Sequence, residues 1–349
     1  MVLLREVPVF ILNSLLMNNT FIPSISISIP VCGRTLYLER CLTSVFSQTF
    51  DSFEILIIDD SPAEDDSAER QVHSIMGTLP NEQKKRIRYI QHGENLGCME
   101  ARRRAVESAL GKYLLYIDSD DELASPDACR ILYEAAVKKD ADIVFAAAEL
   151  AGDRLLVSRK RYDGLLSVLS NKIFDGNTVL PLCQHIFIRQ ALTTFVWAKL
   201  FRTETLLNAF SEIPQMYCCN KEDMVIMLFA SLAAQRYAVL TDVVYRYYLG
   251  GLTSTPGQKD MEQWRKVCSS SSAFVAMIQW LKDRKADNPE YGTLEKVLTP
   301  VYFSAVRECI NIFDKQIPPE IHDEALCVLN DSWEEEVVAN VRRAMQKDS

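Results

Sequence analysis

The chain has 349 residues, of which 48% are hydrophobic, and it carries a formal net charge of -9. This hydrophobic content is enough for a full-sized core, and the acidic balance argues against a general nucleic-acid-binding protein, because phosphate neutralisation needs a basic face. The ten cysteines and four histidines show no C-x-x-C or H-E-x-x-H spacing, so the sequence carries no zinc signature. Cysteines within apolar patterns are typical of free thiols in a reducing compartment, and a cytoplasmic location is the default expectation.

Residues 1–23 form an N-terminal extension whose apolar stretch is interrupted by Pro8. The stretch is too short to span a bilayer, and Glu6 without a small-residue cleavage pattern argues against a secretory signal. Two interpretations stay open for this extension. Translation starts at Met17 rather than at Met1, or the extension is a short amphipathic anchor.

From residue 24 onward, short apolar runs alternate with amphipathic helical patterns, which predicts an α/β fold with a mainly parallel central sheet flanked by helices. Each helix is expected to cross over to the next strand. The strands are expected at Ser24–Ile29, Phe53–Ile58, Arg86–Gln91, Lys112–Ile117 and Asp142–Ala147. The helices between them are expected at Leu36–Ser47, Ser67–Met76, Cys98–Leu110 and Ser125–Lys138.

Polar sequences follow four of the predicted strands, at Pro30–Arg34, Asp59–Ser61, His92–Gly97 and Asp118–Asp121. Because ligands in open α/β sheets bind beyond the carboxyl ends of the strands, these sequences are predicted to converge on one cleft. The three carboxylates of the last sequence repel one another, and Mg²⁺ or Mn²⁺ with a bound diphosphate would relieve that repulsion. A solvated turn before the next helix is the alternative interpretation, which the predicted convergence disfavours.

Beyond about residue 150 the strand pattern weakens. Gly152–Asp175 is interpreted as a polar, irregular connection, and a second block of apolar and aromatic residues runs from Phe195 to Tyr248. From Met261 onward the spacing of apolar residues predicts several amphipathic helices. Their apolar stripe is more typical of a core than of a membrane-binding face.

Several short blocks occur in the order found in the family 2 glycosyltransferases, which are inverting sugar transferases with a GT-A fold. The blocks are Ser28–Val31, Ser47–Phe50, Glu54–Ser61, Glu94–Gly97 with Ala101–Arg102, Tyr116–Asp121, Trp197–Phe201 and Glu222–Asp223. The chain resembles this family, in its bacterial capsule and lipopolysaccharide type, over roughly residues 24–255. It departs from the family pattern at Cys32–Gly33 and at Arg103, where the family has an aromatic–amide pair and an asparagine.

The resemblance implies a domain organisation. A GT-A glycosyltransferase domain spans residues 24–255, with a nucleotide-binding half at 24–150 and an acceptor-side half at 151–255. The N-terminal extension (1–23) precedes it, and a C-terminal helical region (256–349) follows it.

The resemblance also implies roles for single residues. Asp60 is expected at the uracil ring, and Asp118 and Asp120 form the D-x-D motif. Asp118 is expected near the ribose and Asp120 on a Mn²⁺ or Mg²⁺ ion that bridges the diphosphate, with Asp121 assisting, while Asp223 is the catalytic base. The implied nucleotide-sugar-binding residues are Pro30, Val31, Asp59, Asp60, Asn95, Gly97, Arg102, Asp118 and Ser119, and the acceptor side holds Trp197, Lys199 and Glu222.

Sugar transfer needs separate carboxylates for metal binding and for base catalysis. The cation offsets charge on the leaving diphosphate, while a separate carboxylate takes the proton from the hydroxyl of the acceptor. Asp223 also fits an ordinary helix start capped by Asn220, and the helix dipole is then expected to keep its carboxylate ionised at neutral pH. Arg102 is interpreted as a guanidinium aimed at the diphosphate, with a solvent-facing helix position as the alternative. A core tryptophan and a solvated lysine are the alternatives for Trp197 and Lys199.

The sequence therefore predicts a metal-dependent transferase that moves a sugar from a UDP-sugar to a glycan or lipid-linked saccharide acceptor in cell-surface polysaccharide synthesis. A sugar nucleotidyltransferase is disfavoured because Pro30–Arg34 is a poor phosphate loop. An inactive nucleotide-sugar-binding scaffold is disfavoured because Asp118, Asp120 and Asp223 are all in place. No nucleic-acid partner is expected. Peripheral contact with the inner face of the cell membrane, a homo-oligomeric state, the sugar and the linkage stay open.

Overall fold

The computed structural model of the protein describes residues 22–33, 35–152, 172–175, 194–248 and 257–347. Residues 1–21, and with them both candidate start positions, lie outside the described residues. Most of the predicted polar connection at Gly152–Asp175 also lies outside them.

Strands and helices alternate in the first part of the described chain, as the sequence predicts, with ends that differ from the predicted ones by a few residues. Six of the seven residues of the first strand are buried, which is typical of a strand covered on both faces. The elements are β1 (Ile25–Val31), α1 (Leu38–Phe46), β2 (Phe53–Pro62), α2 (Ser67–Thr78), α3 (Asn81–Lys84), β3 (Ile87–Gly93), α4 (Cys98–Ser108) and β4 (Tyr113–Tyr116).

The strands of this part lie in the order β3-β2-β1-β4 and are all parallel. The register places Val31 opposite Asp59 and Ser28 opposite Tyr116. The carboxyl ends of the four strands therefore meet at one edge of the sheet, and the loops that follow them lie side by side.

The sheet continues with mixed pairing. The next elements are β5 (Glu122–Leu123), α5 (Ala128–Lys139), β6 (Ile143–Ala151), β7 (Lys172–Asp175), β8 (Lys199–Arg202), α6 (Thr203–Glu212), α7 (Glu222–Ala233) and β9 (Arg236–Tyr248). β8 lies antiparallel between β4 and β6, and β9 pairs parallel with β6 and antiparallel with β5 and β7.

The end of the chain is helical, as predicted, and packs as a core rather than as a membrane-binding face. Trp264, Phe274 and Trp333 are buried within it, and Trp280 contacts Phe229 of α7 edge-on at 5.2 Å between ring centroids. No helix within the described ranges is long and apolar enough to cross a membrane. The helices are α8 (Met261–Cys268), α9 (Ser270–Arg284), α10 (Pro289–Gln316), α11 (His322–Trp333) and α12 (Glu335–Lys347), with a 3-10 turn at Pro319–Ile321.

Candidate active site

Asp59, at the end of β2, is fully buried and is held by protein groups. Its Oδ1 accepts a hydrogen bond from the Ser61 backbone N at 2.9 Å and another from the Ser61 hydroxyl, and its Oδ2 accepts one from Tyr89. The neighbouring β1 residues of the predicted nucleotide pocket differ in exposure, because Pro30 is partly exposed while Val31 is buried. The hydrogen bonds of Asp59 thus hold Ser61 of β2 and Tyr89 of β3 in place at this edge of the sheet.

Asp60 anchors the loop that leads into α4. Its Oδ1 accepts from the Leu96 backbone N at 2.9 Å, and its Oδ2 accepts from the Gly97 backbone N at 2.8 Å. His92 Nδ1 lies 2.8 Å from the same Oδ1. Gly97 has φ of 91°, and a Cβ there would lie 3.0 Å from the backbone N of Cys218. Only glycine suits this position, because a side chain would be strained and would collide with backbone.

Asn95 lies in the same loop, with its side-chain Nδ2 donating to Cys32 Sγ at 3.4 Å. Its Oδ1 is buried and makes no hydrogen bond within the protein. A buried amide oxygen without a partner is costly, so this atom suits a hydrogen-bond donor from a bound ligand or from water.

The turn after β4 holds the four residues of the predicted metal motif. The Asp118 backbone N donates to the Tyr245 hydroxyl at 3.2 Å, and that hydroxyl donates to Asp121 Oδ2 at 2.8 Å. Asp121 Oδ1 accepts from the Tyr248 backbone N at 2.8 Å. Asp121 is 1% exposed, and its pKa is raised well above its usual value by burial and by the nearby charges of Asp118 and Asp120. Both Asp121 oxygens are therefore engaged in holding β9 against the turn.

Asp118 and Asp120 are partly exposed, unlike Asp121 and the buried Ser119. The turn is also held by Arg40 of α1, which donates to the Asp120 carbonyl oxygen at 2.5 Å. The Arg40 guanidinium stacks on the Tyr248 ring at 3.6 Å. The backbone of the motif is thus fixed while two of its carboxylates stay accessible.

A buried guanidinium joins three carboxylates from distant parts of the chain. Arg102 of α4 donates through Nη1 to Glu222 Oε1 and, at 2.6 Å, to Asp223 Oδ1, and through Nη2 to Asp118 Oδ1 at 3.0 Å. We refer to Arg102, Asp118, Glu222 and Asp223 as the acidic cluster. Exposure of the carboxylate side chains rises from 11% at Glu222 through 17% at Asp223 to 30% at Asp118. The predicted base and the first residue of the D-x-D motif therefore lie around one cation.

Burial has the largest effect on the pKa values of the two carboxylates at the start of α7. It raises the pKa of Asp223 to about 7, assisted by the charges of Glu222 and Asp118 and opposed by Arg102. Burial also raises the pKa of Glu222. Burial alone would lower the pKa of Arg102, but the three carboxylates outweigh it and raise that pKa. The helix dipole was expected to keep Asp223 ionised at neutral pH, but desolvation has the larger effect and leaves this carboxylate only partly ionised there.

The start of α7 also differs from the expected cap. Lys221, with φ of 68°, occupies the N-cap position and makes no side-chain cap. Asn220 instead donates from Nδ2 to the Val267 carbonyl oxygen at 3.3 Å, which ties the loop to α8. Glu222 and Asp223 thus begin a helix whose preceding loop contacts the helical region.

The acceptor-side candidates Trp197 and Lys199 are both buried. Trp197 is 3% exposed and stacks on Phe195 at 4.6 Å and on Tyr245 at 5.0 Å between ring centroids. Lys199 Nζ donates to the Phe195 carbonyl oxygen at 2.5 Å and lies 4.1 Å from the Phe145 ring centroid. Burial lowers the pKa of Lys199 to about 7. A solvated Lys199 is therefore excluded, and Trp197 packs against Tyr245, which holds the turn of the predicted metal motif.

Arg103, where the chain departs from the family pattern, is a structural residue. It is 8% exposed and donates to Glu100 Oε2 at 2.8 Å. It also donates to the carbonyl oxygens of Phe210 at 2.8 Å and Ile213 at 3.0 Å. The long side chain thus fixes α4 against the segment that follows α6.

Three residues at the site were missed by sequence reasoning. His92 contacts Asp60, Tyr245 links Asp118 to Asp121, and Arg40 holds the Asp120 backbone. His92 lies at the end of β3, in a segment that the sequence placed at the site, and Tyr245 lies in a recognised block, so position gave a signal for both. Nothing local distinguishes Arg40 from other helix arginines.

Asp118 and Asp120, the partly exposed carboxylates of the turn, suit a divalent cation that is also bound by a substrate diphosphate. They are less suited to a cation that is bound by protein side chains alone. In the part of the chain that the structure describes, no group of three or more His, Cys, Asp or Glu side chains could hold a metal ion. Mg²⁺ in nucleotide sites is usually bound by one or two carboxylates together with substrate phosphates. Asp118 and Asp120 meet that requirement, whereas both oxygens of Asp121 already accept hydrogen bonds.

Comparison with known proteins places the chain among glycosyltransferases. Residues 26–196 match the family model described as glycosyl transferase family 2. YibD of Escherichia coli (strain K12), described as an uncharacterized glycosyltransferase, is 31% identical over 239 residues, which are 67% of this chain and 63% of that protein. The chain spans 15%, 35% and 37% of the length of three other curated relatives.

Solved structures show the same fold. The crystal structure of S. aureus TarS 1-349 has a TM-score of 0.57 at 17% identity and covers 90% of this chain and 82% of that chain. The same protein in complex with UDP-GlcNAc has a TM-score of 0.50 at 15% identity, with 92% of each chain covered. The mannosyltransferase PcManGT from Pyrobaculum calidifontis, in complex with GDP-Man and Mn²⁺, has a TM-score of 0.51 at 13% identity and covers 94% of this chain and 81% of that chain.

Proposed function

Because residues 26–196 form a glycosyltransferase family 2 domain on a GT-A fold, we propose that this protein transfers a sugar from a UDP-sugar to a glycan or lipid-linked saccharide. The transfer is metal-dependent and inverts the anomeric configuration. We assign this transfer to cell-surface polysaccharide synthesis on the cytoplasmic side of the membrane, in line with the resemblance to capsule and lipopolysaccharide enzymes.

One observation carries the proposal. The Arg102 guanidinium contacts Asp118 and Asp223 at the same time, at 3.0 and 2.6 Å. A direct displacement at an anomeric carbon needs the leaving diphosphate and the proton acceptor on opposite sides of one small volume. A carboxylate of the D-x-D motif and a separate candidate base at such a volume meet that need.

The donor is assigned to the edge formed by the ends of β1, β2 and β4. The complex of TarS with UDP-GlcNAc supports a uridine nucleotide, because that protein shares the fold. Pro30, Asn95 and Asp118 are the partly exposed members of the predicted nucleotide-binding set at this edge. The unpartnered Asn95 Oδ1 is suited to accept a hydrogen bond from the donor.

Asp118 and Asp120 would hold a Mn²⁺ or Mg²⁺ ion, and the bound cation would offset the charge that builds on the leaving diphosphate. The charges of the acidic cluster support this assignment. Three carboxylates share one guanidinium there, so the cluster favours an additional cation. The PcManGT complex with Mn²⁺ is consistent with such an ion in this fold.

Asp223 is assigned as the general base. Its carboxylate accepts the proton of the acceptor hydroxyl while the acceptor oxygen forms a bond to the anomeric carbon and the bond from that carbon to the diphosphate breaks. A pKa of about 7 leaves a large fraction of Asp223 ionised at neutral pH and keeps the carboxylate basic enough to take a proton. Arg102 orients the carboxylate, and UDP leaves with the electron pair of the broken bond.

The test is release of nucleoside diphosphate from a panel of UDP-sugars and GDP-mannose, with Mn²⁺ and a mixture of saccharide acceptors. We expect turnover with one UDP-sugar, abolished by a chelator. Asp223→Asn should lower kcat by about 100- to 10,000-fold, the usual worth of a general base, and Asp120→Asn should remove the metal dependence together with activity.

Asp323→Asn is the matched control, because Asp323 lies in the first turn of α11 as Asp223 does in α7 and is exposed. It should retain full activity. UDP binding without turnover of any donor would contradict the proposal and favour a binding subunit.

A further inference from the structure

Hydrogen bonds to three carboxylates inside the protein use three of the five guanidinium donors of Arg102. A guanidinium has five N–H donors, two on each Nη and one on Nε. Nη1 donates to Glu222 and Asp223, and Nη2 donates to Asp118. Nε is buried and has no hydrogen-bond partner within the protein. One Nη2 donor remains on a residue that is 4% exposed.

We propose that Arg102 is a positioning residue that holds the D-x-D carboxylate and the base together, and that it is not a ligand of the diphosphate. This inference rests on the proposed function. It differs from the interpretation of Arg102 as a guanidinium aimed at the diphosphate, because this guanidinium already contacts three carboxylates.

The position of the guanidinium is set from both sides of the site. On the donor side, Asp60 holds the Gly97 backbone N at the start of α4 at 2.8 Å. On the acceptor side, the Met99 backbone N of α4 donates to the Cys218 carbonyl oxygen at 3.0 Å, in the loop that leads to Asp223. Helix α4 is therefore fastened to β2 through Asp60 and to the loop that leads to Asp223, and the Arg102 side chain adds the contacts with Asp118 and Asp223.

The geometry makes a specific demand on the side chain at this position. Asp118 and Asp223 are reached by different nitrogens of one planar group, and Glu222 shares a nitrogen with Asp223. A lysine ammonium is a single point charge and cannot hold the same planar arrangement. Arg102→Lys should therefore keep the positive charge but lose the relative placement of Asp118 and Asp223.

The experiment separates positioning from diphosphate binding. Affinities for UDP and for uridine are measured by calorimetry, with and without Mn²⁺, for the unmodified protein, Arg102→Lys, Arg102→Gln and Arg104→Gln. If Arg102 only positions, the ratio of UDP to uridine affinity without Mn²⁺ stays within about twofold of that of the unmodified protein. Over the same variants, kcat for sugar transfer falls about 100-fold, the usual cost of misplaced reacting groups, while KM for the UDP-sugar changes little.

A double-substituted protein supplies a second readout. If Arg102 acts through Asp223, Arg102→Lys should cost much less in an Asp223→Asn background than on its own, because residues that act as a unit are not additive. Additive losses would overturn the inference. A tenfold or greater fall in the UDP to uridine ratio would also overturn it, as would an unchanged kcat.

Arg104→Gln is the matched control, since Arg104 lies on the same helix with a side chain that is 50% exposed and should leave every readout unchanged. Arg102→Lys keeps the experiment informative if Arg102→Gln does not fold. The nucleotide affinities can be measured whether or not the protein turns over a substrate. Absence of turnover in the unmodified protein would therefore contradict the proposed function, while the affinity ratio still tests the role of Arg102.

Discussion

Two sets of carboxylates at the site are held in different ways. Asp59, Asp60 and Asp121 accept hydrogen bonds from backbone N–H groups and hydroxyls, and we refer to them as the anchored carboxylates. The carboxylates of the acidic cluster share the single guanidinium of Arg102. The anchored carboxylates hold the loops in place, whereas the acidic cluster keeps an excess of negative charge that a cation or a proton can relieve.

The difference explains why residues with the same side chain can have opposite effects on stability. A carboxylate that satisfies buried N–H groups stabilises the fold, because removing it leaves those donors unpaired. A carboxylate in a desolvated cluster of like charges destabilises the fold, because its charged form is disfavoured there. Substitutions of three carboxylates test this contrast, and one of the buried Lys199 extends it to a cation, in order from the largest expected effect to the smallest.

Asp60→Ala should lower the free energy of unfolding by about 2 to 5 kcal/mol, because the backbone N–H groups of Leu96 and Gly97 lose their acceptors. Urea unfolding monitored by circular dichroism measures the loss. The exposed Asp323→Asn is the control and should be neutral. An unchanged unfolding midpoint for Asp60→Ala would mean that Asp60 does not anchor the loop.

Asp121→Ala should lower stability by about 1 to 3 kcal/mol, because the Tyr245 hydroxyl and the Tyr248 backbone N lose their acceptor. Relief of the buried charge, whose pKa burial and the charges of Asp118 and Asp120 raise, offsets part of this loss. The Mn²⁺ concentration for half-maximal turnover should stay unchanged. A tenfold increase in that concentration would show that Asp121 binds the cation, as the resemblance implies, and would remove it from the anchored carboxylates.

Asp223→Asn should raise stability by about 1 to 3 kcal/mol at pH 8. The pKa of Asp223 in the folded protein, about 7, lies above that of the unfolded chain, so the folded state binds the extra proton and loses stability as pH rises towards 7. At pH 5 the gain should be much smaller. Unfolding in urea at the two pH values measures it, and equal effects at both would contradict the raised pKa.

The same pKa predicts the pH dependence of turnover. Below about pH 7, kcat/KM should fall by about tenfold per pH unit, because the base must be deprotonated before it can accept a proton. A profile that stays flat from pH 8 to pH 5.5 would exclude Asp223, with this pKa, as the base.

Lys199→Met should have the smallest effect on stability, within about 1 kcal/mol, since loss of the bond to the Phe195 carbonyl oxygen is offset by relief of the buried charge. The depressed pKa of Lys199, about 7, means that any gain is larger at pH 6 than at pH 8. Thermal unfolding at these two pH values measures the change. A loss of several kcal/mol would show that Lys199 is a required structural cation.

The fold was largely predictable from the sequence because its signals are local. The apolar run before Asp118 and the helix period after Gly97 mark β4 and α4 within a few residues. The convergence of the loops followed from the parallel order of the strands. The insertion of β8 between β4 and β6 was not predictable, because a four-residue strand carries no signal for its partners.

The environment of the charges at the site could not be predicted. The sequence singled out Asp118 and Asp223, but nothing local shows that Arg102 joins them across 16 and 121 residues. Likewise, the burial that lowers the pKa of Lys199 and raises that of Asp223 depends on neighbours distant in sequence. Residue type and spacing indicated the candidates, and long-range packing set their ionisation.

The insertion of β8 has a consequence for synthesis of the chain on the ribosome. Leu114 of β4 pairs with Phe201 of β8, and Val144 of β6 pairs with Leu200. Until β8 has emerged, the facing edges of β4 and β6 lack their partner, and open hydrophobic strand edges promote aggregation. A fragment that stops before β8 would therefore expose two unpaired strand edges. We expect the nucleotide-binding half, produced alone as a truncated chain, to aggregate.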